Sequence, residues 1–492
     1  MELAALPSLP LSVRRFRANP QDPRHLAPIP AVILAELQGP QTAIRPVAYY
    51  VCMSSVRAWT AGIGPGPLLA ALGALAAAIT VGVLSANSLV LALSVAVGIL
   101  LVAIAIKNLA IIPVLAVPAT LLQARVGNLL SISDVVLAIA AIVALFMLRG
   151  RGAVVLQPLV WAAVFYLSVT IATLILNPYA ADFVEWVHEL FLIIGSLIVG
   201  FVIGRENMAK AALTIYLLAC SGIAIAAVLV TAVTFVQTGT IEAAYLPGLQ
   251  KNTTGGMLAA GAVIAFARPV WLGWSAKWAN IVFGLLVIGV VVAQSRQGVI
   301  GMVVGVFIVC LRPRPQTGKR PKLIWYGAIP AIYLVLIAVT AQLESSNQFN
   351  SANQRVSWYA DSVNVWLTSP IFGAGMRWWY SGHFDVNFQP PNAELEVLST
   401  TGVVGTFAFL VLFAVAGWYL YKMDPVYGTV GLAVVATRFT QAQFDLYWVA
   451  GQASLLWIVA GICYGVQARD RARAAKEEPP PTMVNGTRAL VR

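Results

Sequence analysis

Long uninterrupted apolar runs recur along this chain, with 67–86 and 213–236 as clear examples, and they leave few folds open. About 20 apolar residues in a row match one helical crossing of a bilayer's hydrocarbon core. Inside that core every peptide group must be hydrogen-bonded within the protein, so only helices and closed barrels cross it. A barrel strand alternates apolar and polar positions over about ten residues, and these runs do not alternate. The sequence therefore predicts an all-α integral membrane protein. The composition agrees, since 60% of the 492 residues are hydrophobic and only 10% are charged, far from the balance of a water-soluble domain.

About 12–14 transmembrane helices fit the pattern. Spans are predicted near 67–86, 88–106, 108–123, 132–149, 154–176, 188–204, 213–236, 255–267, 278–293, 297–311, 324–342, 400–421, 425–440 and 446–466. The resulting organisation is a basic cytoplasmic tail, 1–66, eleven helices across 67–342, a large outer loop at 343–399, three more helices across 400–466, and a disordered cytoplasmic tail, 467–492. Arg149 with Arg151, Arg205 with Lys210, Arg268 with Lys277, and the run from Arg312 to Lys322 all fall on one side by helix counting. Basic connectors mark the cytoplasmic side, so both termini are expected inside. The net charge of +12 is explained by that bias and calls for no nucleic acid.

Four cysteines, Cys52, Cys220, Cys310 and Cys463, fall in the amino-terminal tail or within apolar runs, which supports neither a disulfide framework nor a thiolate metal site. His25, His188 and His383 are too scattered for a metal-ligand spacing, and no cofactor is expected.

The loop 343–399 is compositionally unlike the rest, being polar, charged and rich in aromatics. A connection this long between packed elements is usually functional or disordered, and Trp358, Trp366, Trp378, Trp379 and Tyr380 argue for order. Val356, Tyr359, Val363 and Leu367 recur at helical spacing up to a stop at Pro370, which predicts an amphipathic helix at the interface. Gly373 and Gly375 permit a turn before a Trp-Trp-Tyr run of the kind found in interfacial aromatic belts. The acidic stretch Asp182, Glu185 and Glu189, with His188 among them, is expected to form a solvated cap on another outer turn, the alternatives being acceptor-sugar binding or pairing with Arg296.

Six basic residues, Arg125, Lys251, Arg296, Arg355, Arg377 and Arg438, face the outer side by the same count, where orientation does not require them. Arg296 sits in Gln294-Ser295-Arg296-Gln297-Gly298, a tight turn between two apolar runs. Lys251-Asn252-Thr253-Thr254-Gly255-Gly256 occupies the equivalent edge of the preceding hairpin. A cation, hydroxyls and open backbone amides suit a diphosphate, and arginine binds such groups in bidentate fashion.

In four places the chain resembles the O-antigen ligase and O-antigen polymerase family of bacterial polytopic membrane proteins. They are Lys251-Asn252; Ser295-Arg296-Gln297-Gly298; Arg355 and Trp358 leading to Pro370-Ile371-Phe372-Gly373-Ala374-Gly375; and Pro391-Asn392-Ala393-Glu394-Leu395 leading to Gly402-Val403-Val404-Gly405. The resemblance implies a metal-independent glycosyltransferase in the bacterial cytoplasmic membrane. Such an enzyme moves a glycan from an undecaprenyl-diphosphate carrier to a sugar hydroxyl on a glycan or lipid acceptor at the outer face. It implies diphosphate contacts from Arg296, Arg355, Lys251 and Arg377, with further substrate contacts from Asn252 and Asn392. Ligases of the family usually carry a histidine where Pro391 stands here. The general base then falls to His383, Glu394 or Glu396, and the change favours a polymerase over a ligase. The alternative class is a transporter or flippase for lipid-linked glycans or small anions, which would place charges mid-membrane in repeated halves; no repeat is visible.

Overall fold

A computed structural model describes residues 107–126, 130–148, 151–313, 333, 351–448 and 451–477, all within the compact unit Leu100–Arg492. The tail 1–66 with Cys52, the spans at 67–86 and 88–106, nearly all of that at 324–342, the first part of the outer loop and residues 478–492 lie outside the described residues. Helices α1 (Ile111–Ala119) and α2 (Ile132–Met147) are separated by a small antiparallel pair, β1 (Arg125–Val126) and β2 (Leu130–Ser131). Then come α3 (Gln157–Leu176) and α4 (Ala180–Leu190), the latter running through a π turn at Phe191–Gly195 into α5 (Ser196–Arg205). The order continues with α6 (Ala209–Thr238), α7 (Lys251–Ala267), α8 (Ala276–Val292), α9 (Arg296–Leu311) and α10 (Ser351–Thr368). The last three are α11 (Ala393–Lys422), α12 (Pro425–Ala442) and α13 (Gln452–Glu477).

Among the described residues, four stretches, Ala153–Leu176, Ala180–Arg205, Ala209–Thr238 and Ala393–Lys422, are long and apolar enough to cross a membrane, and α2, α8 and α9 are shorter apolar helices. Their outward sides are apolar too, with Phe146 and Ile175 each 73% exposed and Val236 83% exposed. A helix that is apolar on both its packed and its outer side is in lipid. The chain is a multi-pass α-helical membrane protein.

The centre of the described fold is the last described helix, α13. Every residue of α13 from Gln452 to Gln467 is buried, and its main partner is α5. The two backbones approach so closely that a Cβ on Gly200 would lie 2.0 Å from the Ile458 carbonyl oxygen, and one on Gly461 would lie 2.3 Å from that of Leu197. Gly204 and Gly465 repeat the contact one turn along. Each helix thus presents a Gly-x-x-x-Gly face, Gly200 with Gly204 and Gly461 with Gly465. Without a hydrophobic driving force between helices in lipid, such close packing is what holds them together.

Alternate helix ends meet at two opposite faces. At one, Arg205 donates to the Met147 carbonyl at 2.6 Å, Arg312 to the carbonyls of Tyr421 and Met423, and Trp271 to that of Val426. At the other, the starts of α7, α9 and α11 meet the connection between α12 and α13. Gln297 and Ser295 donate to the Asn252 carbonyl, and Asn392 donates to that of Gln443.

Two expected spans shift. The one predicted at 188–204 begins at Ala180, which carries the acidic stretch inside the helix. The one predicted at 446–466 starts at Gln452 and runs on through the basic residues Arg469 to Lys476. A helix does occupy the predicted position after residue 350, but its packed residues are Ser362 and Val365, while Val356 and Leu367 are exposed.

Candidate functional site

The loop before α11 is fixed by a break in that helix. Gly402 has φ +67° and ψ −170°, so the helical ladder is interrupted and peptide groups on either side need other partners. The turn at 370–375 supplies them. The N–H groups of Ala374 and Gly375 donate to the Ser399 and Thr400 carbonyls at 2.9 and 3.2 Å, and the carbonyls of Pro370 and Ile371 accept from Val403 and Val404. Gly373, at φ +76°, comes so near Thr400 that a side chain there would strike its carbonyl. Thr173 and Asn177 at the end of α3 donate to the Phe372 and Gly373 carbonyls. The two glycine-bearing motifs are therefore the two sides of one backbone joint.

That joint aims Arg377. Its N–H and that of Met376 both donate to the Asp182 carboxylate at 2.9 Å, and its Nε and Nη2 both reach Glu185 Oε2. Glu185 Oε1 lies 3.3 Å from His188 Nδ1, and His188 Nε2 lies 3.1 Å from Asp134 Oδ1. Asp134 also closes the capping box of α2, its Oδ2 accepting from the Ser131 N–H and hydroxyl. Glu189 accepts from the Tyr166 hydroxyl at 3.0 Å. The acidic stretch is not the solvated cap expected: Asp182 is 0% exposed, Glu185 5%, His188 6% and Glu189 2%. It is buried because Arg377, two backbone amides and α2 supply its partners, which a buried charge requires.

Beside this network lies a cavity of about 220 Å³. Its charged lining is Asp134, Glu185, His188, Arg377 and Asp445. Four amides, Gln123, Gln250, Gln389 and Gln452, and three aromatic rings, Trp379, Tyr380 and Trp448, complete most of the wall. Asp445 stands in the connection between α12 and α13. Its Oδ2 accepts from Gln297 Nε2 at 2.7 Å, which ties the cavity to Arg296, the neighbouring residue. The connection itself is held by buried Arg438, which donates to the Leu446 and Tyr447 carbonyls at 3.0 and 2.9 Å.

The predicted site residues sort clearly against this geometry. Arg296 opens α9 after Gln294, whose φ of +50° makes the tight turn expected there. The charge of Arg355, on α10, reaches Arg296, and Tyr359 lies within the fields of both Arg355 and Asp445. Burial and the Asp445 charge raise the Tyr359 hydroxyl above its ordinary value, with Arg355 opposing them. Lys251 and Asn252 form the first turn of α7, and the Asn252 carbonyl accepts from Gln297. Arg377 lines the cavity but is engaged by Glu185. Asn392 caps α11 through the Leu395 N–H, and Glu394 accepts from Gln443 at 2.6 Å. His383 is exposed, with Nδ1 against the Ser381 carbonyl and its ring 5.3 Å from that of Tyr179; it does not reach the cavity. Within the Trp-Trp-Tyr run only Tyr380 is well exposed, while Trp378 is fully buried and donates to Ser399 Oγ.

Asp134 and Asp445 were missed as site residues. The first had a signal, since Ser131-x-x-Asp134 ahead of an apolar run is a capping-box pattern. The second stood in the short connector between the predicted spans 425–440 and 446–466, where no local spacing marked it.

The fold and site define a multi-pass helical membrane protein with a polar, partly cationic site where alternate helix ends meet. Residues 250–410 match the family model of the O-antigen ligases, so the resemblance carried by the four motifs holds across all of them. No curated protein matches the chain. The cavity residues Asp134, Glu185, His188 and Asp445 lie outside the matched segment.

Proposed function

We propose that this protein is an envelope polysaccharide polymerase or ligase of the bacterial cytoplasmic membrane. It transfers a glycan from an undecaprenyl-diphosphate carrier to a sugar hydroxyl at the outer face. The observation that carries this reading is that two of the motifs, Lys251-Asn252 and Ser295-Arg296-Gln297-Gly298, are joined in space by the hydrogen bonds from Ser295 and Gln297 to the Asn252 carbonyl. A diphosphate would be bound there by Arg296 and Arg355, in bidentate fashion, and further favoured by the first turns of α7 and α9, whose N–H groups attract anions.

The chemistry needs such a site. Displacing the carrier from the anomeric carbon builds negative charge on the departing phosphate, which fixed guanidinium groups stabilise. Lys251 opens α7 next to Asn252, and Arg377, held by Glu185 and Asp182, shapes the wall rather than the anion contact.

The test is transfer in proteoliposomes supplied with an undecaprenyl-diphosphate oligosaccharide and candidate acceptors. Arg296→Ala and Arg355→Ala are expected each to lower transfer by about 10²–10³, the range for losing one transition-state donor. Near wild-type transfer in both variants would remove the diphosphate assignment. Longer glycans on the carrier identify a polymerase, and glycan on a different acceptor identifies a ligase. Donor crossing the bilayer without a new glycosidic bond identifies a flippase.

A further inference from the structure

We infer that Asp445 takes the proton from the incoming hydroxyl, and that the cavity beside it holds the acceptor sugar. This rests on the reading of the site as a glycan transferase. The position of Asp445 is the first argument. It belongs to the cavity wall and is bonded to Gln297, so one carboxylate borders both the cavity and the segment that carries Arg296. A base for this reaction has to stand there, between the acceptor and the anomeric carbon that the diphosphate leaves.

The second argument is what the other acidic groups are doing. Asp134 is taken up by Ser131 and His188, Glu185 by His188 and Arg377, and Asp182 by two backbone amides. His188 has carboxylates against both ring nitrogens, leaving neither to accept a proton from a substrate. Glu394 and Glu396 accept from Gln443 and Gln389 and are not part of the wall. Among the described residues the Asp445 Oδ1 accepts no hydrogen bond, while Oδ2 is held by Gln297. One oxygen is thus oriented and the other is open to a ligand.

The third argument is the lining. Amides both donate and accept, so Gln123, Gln250, Gln389 and Gln452 match the hydroxyls of a sugar, and Trp379 and Trp448 offer flat apolar faces. Ligand pockets for drug-sized molecules hold about 300–1,000 Å³. A cavity of about 220 Å³ is of a size for a sugar ring rather than for a long polyprenyl chain. The carrier lipid stays outside while the acceptor enters.

The step balances simply. The acceptor O–H bond breaks, its proton passes to Asp445, and the oxygen forms a bond to the anomeric carbon. The bond from that carbon to the phosphate oxygen breaks, and the carrier diphosphate departs with the electron pair. The proton then leaves Asp445 for the diphosphate or water.

Asp445→Asn keeps the size of the side chain and an oxygen for Gln297, so the site should still bind undecaprenyl diphosphate itself, measured by quenching of tryptophan fluorescence. Binding within threefold of wild type, transfer lowered at least 100-fold, and at least tenfold recovery of Asp445→Ala by added formate are the expected results. Loss of general-base help is worth about 10²–10⁴ in rate. Asp385→Asn, an exposed acid of the loop before α11, is the control and should transfer normally. A transfer loss of less than tenfold in Asp445→Asn, no rescue by formate, or loss of diphosphate binding with transfer would each overturn the assignment. If instead wild-type protein makes no glycosidic bond, the function proposed above fails and this inference falls with it.

Discussion

At the scale of single residues, the buried network shows how one cation organises several acids. Arg377 is held through its backbone by Asp182 and through its side chain by Glu185, while Glu185 is shared with His188 and His188 with Asp134. Removing one partner of such a pair leaves a charge buried without compensation, which costs about 3–5 kcal/mol. Arg377→Ala and Glu185→Gln should each destabilise the protein by about that amount. The double variant should lose much less than the sum of the two, because neither charge is then left alone. Unfolding in mixed micelles at increasing denaturant measures all three. Additive losses would mean that the two side chains act independently. Sequence reasoning could not find this network, because Asp134, Glu185 and Arg377 lie in three separate stretches and no local spacing links them. The acids were legible as unusual; their burial was not.

At the scale of elements, small residues decide where helices can touch. Gly200→Val places two methyl groups where the Ile458 carbonyl already stands, so α5 and α13 must separate and the contacts between them weaken. A Cβ at Gly222, within α6, would meet nothing within 4 Å. Gly222→Ala should therefore be neutral or stabilising by up to about 1 kcal/mol, the helix-propensity difference. Thermal unfolding in detergent should show a large fall in midpoint for the first and none for the second. Equal behaviour would mean that the glycine face carries no packing role. The Gly-x-x-x-Gly pairs were visible in the sequence as spacing, yet which helices they join depends on contacts more than 250 positions apart. The turn at 370–375 was likewise legible from its glycines, but not as the partner of a break at Gly402.

At the scale of the whole molecule, the alternation of polar connectors was enough to recover most of the described helices, since a helix in lipid has to begin and end where its charges reach water. Boundaries failed where charges enter a helix with their own partners, as in α4, or follow it into solvent, as in α13. The two faces that result lead to an accessibility prediction. In intact cells, a thiol introduced at Ser381, beside the site, should react with an impermeant maleimide. One at Asn207, beside Arg469, should react only once the membrane is opened. The reverse pattern would invert the topology.

The central place of α13 bears on how the protein is made. Ribosomes deliver α5 about 250 residues before the helix that covers its glycine face, so for most of synthesis the acids of α4 have no finished interior around them. Membrane insertion and completion of the site are then separate events. On the function proposed above, a newly inserted chain cannot handle a carrier lipid until α13 arrives, because the cavity is not yet closed around the acids of α4.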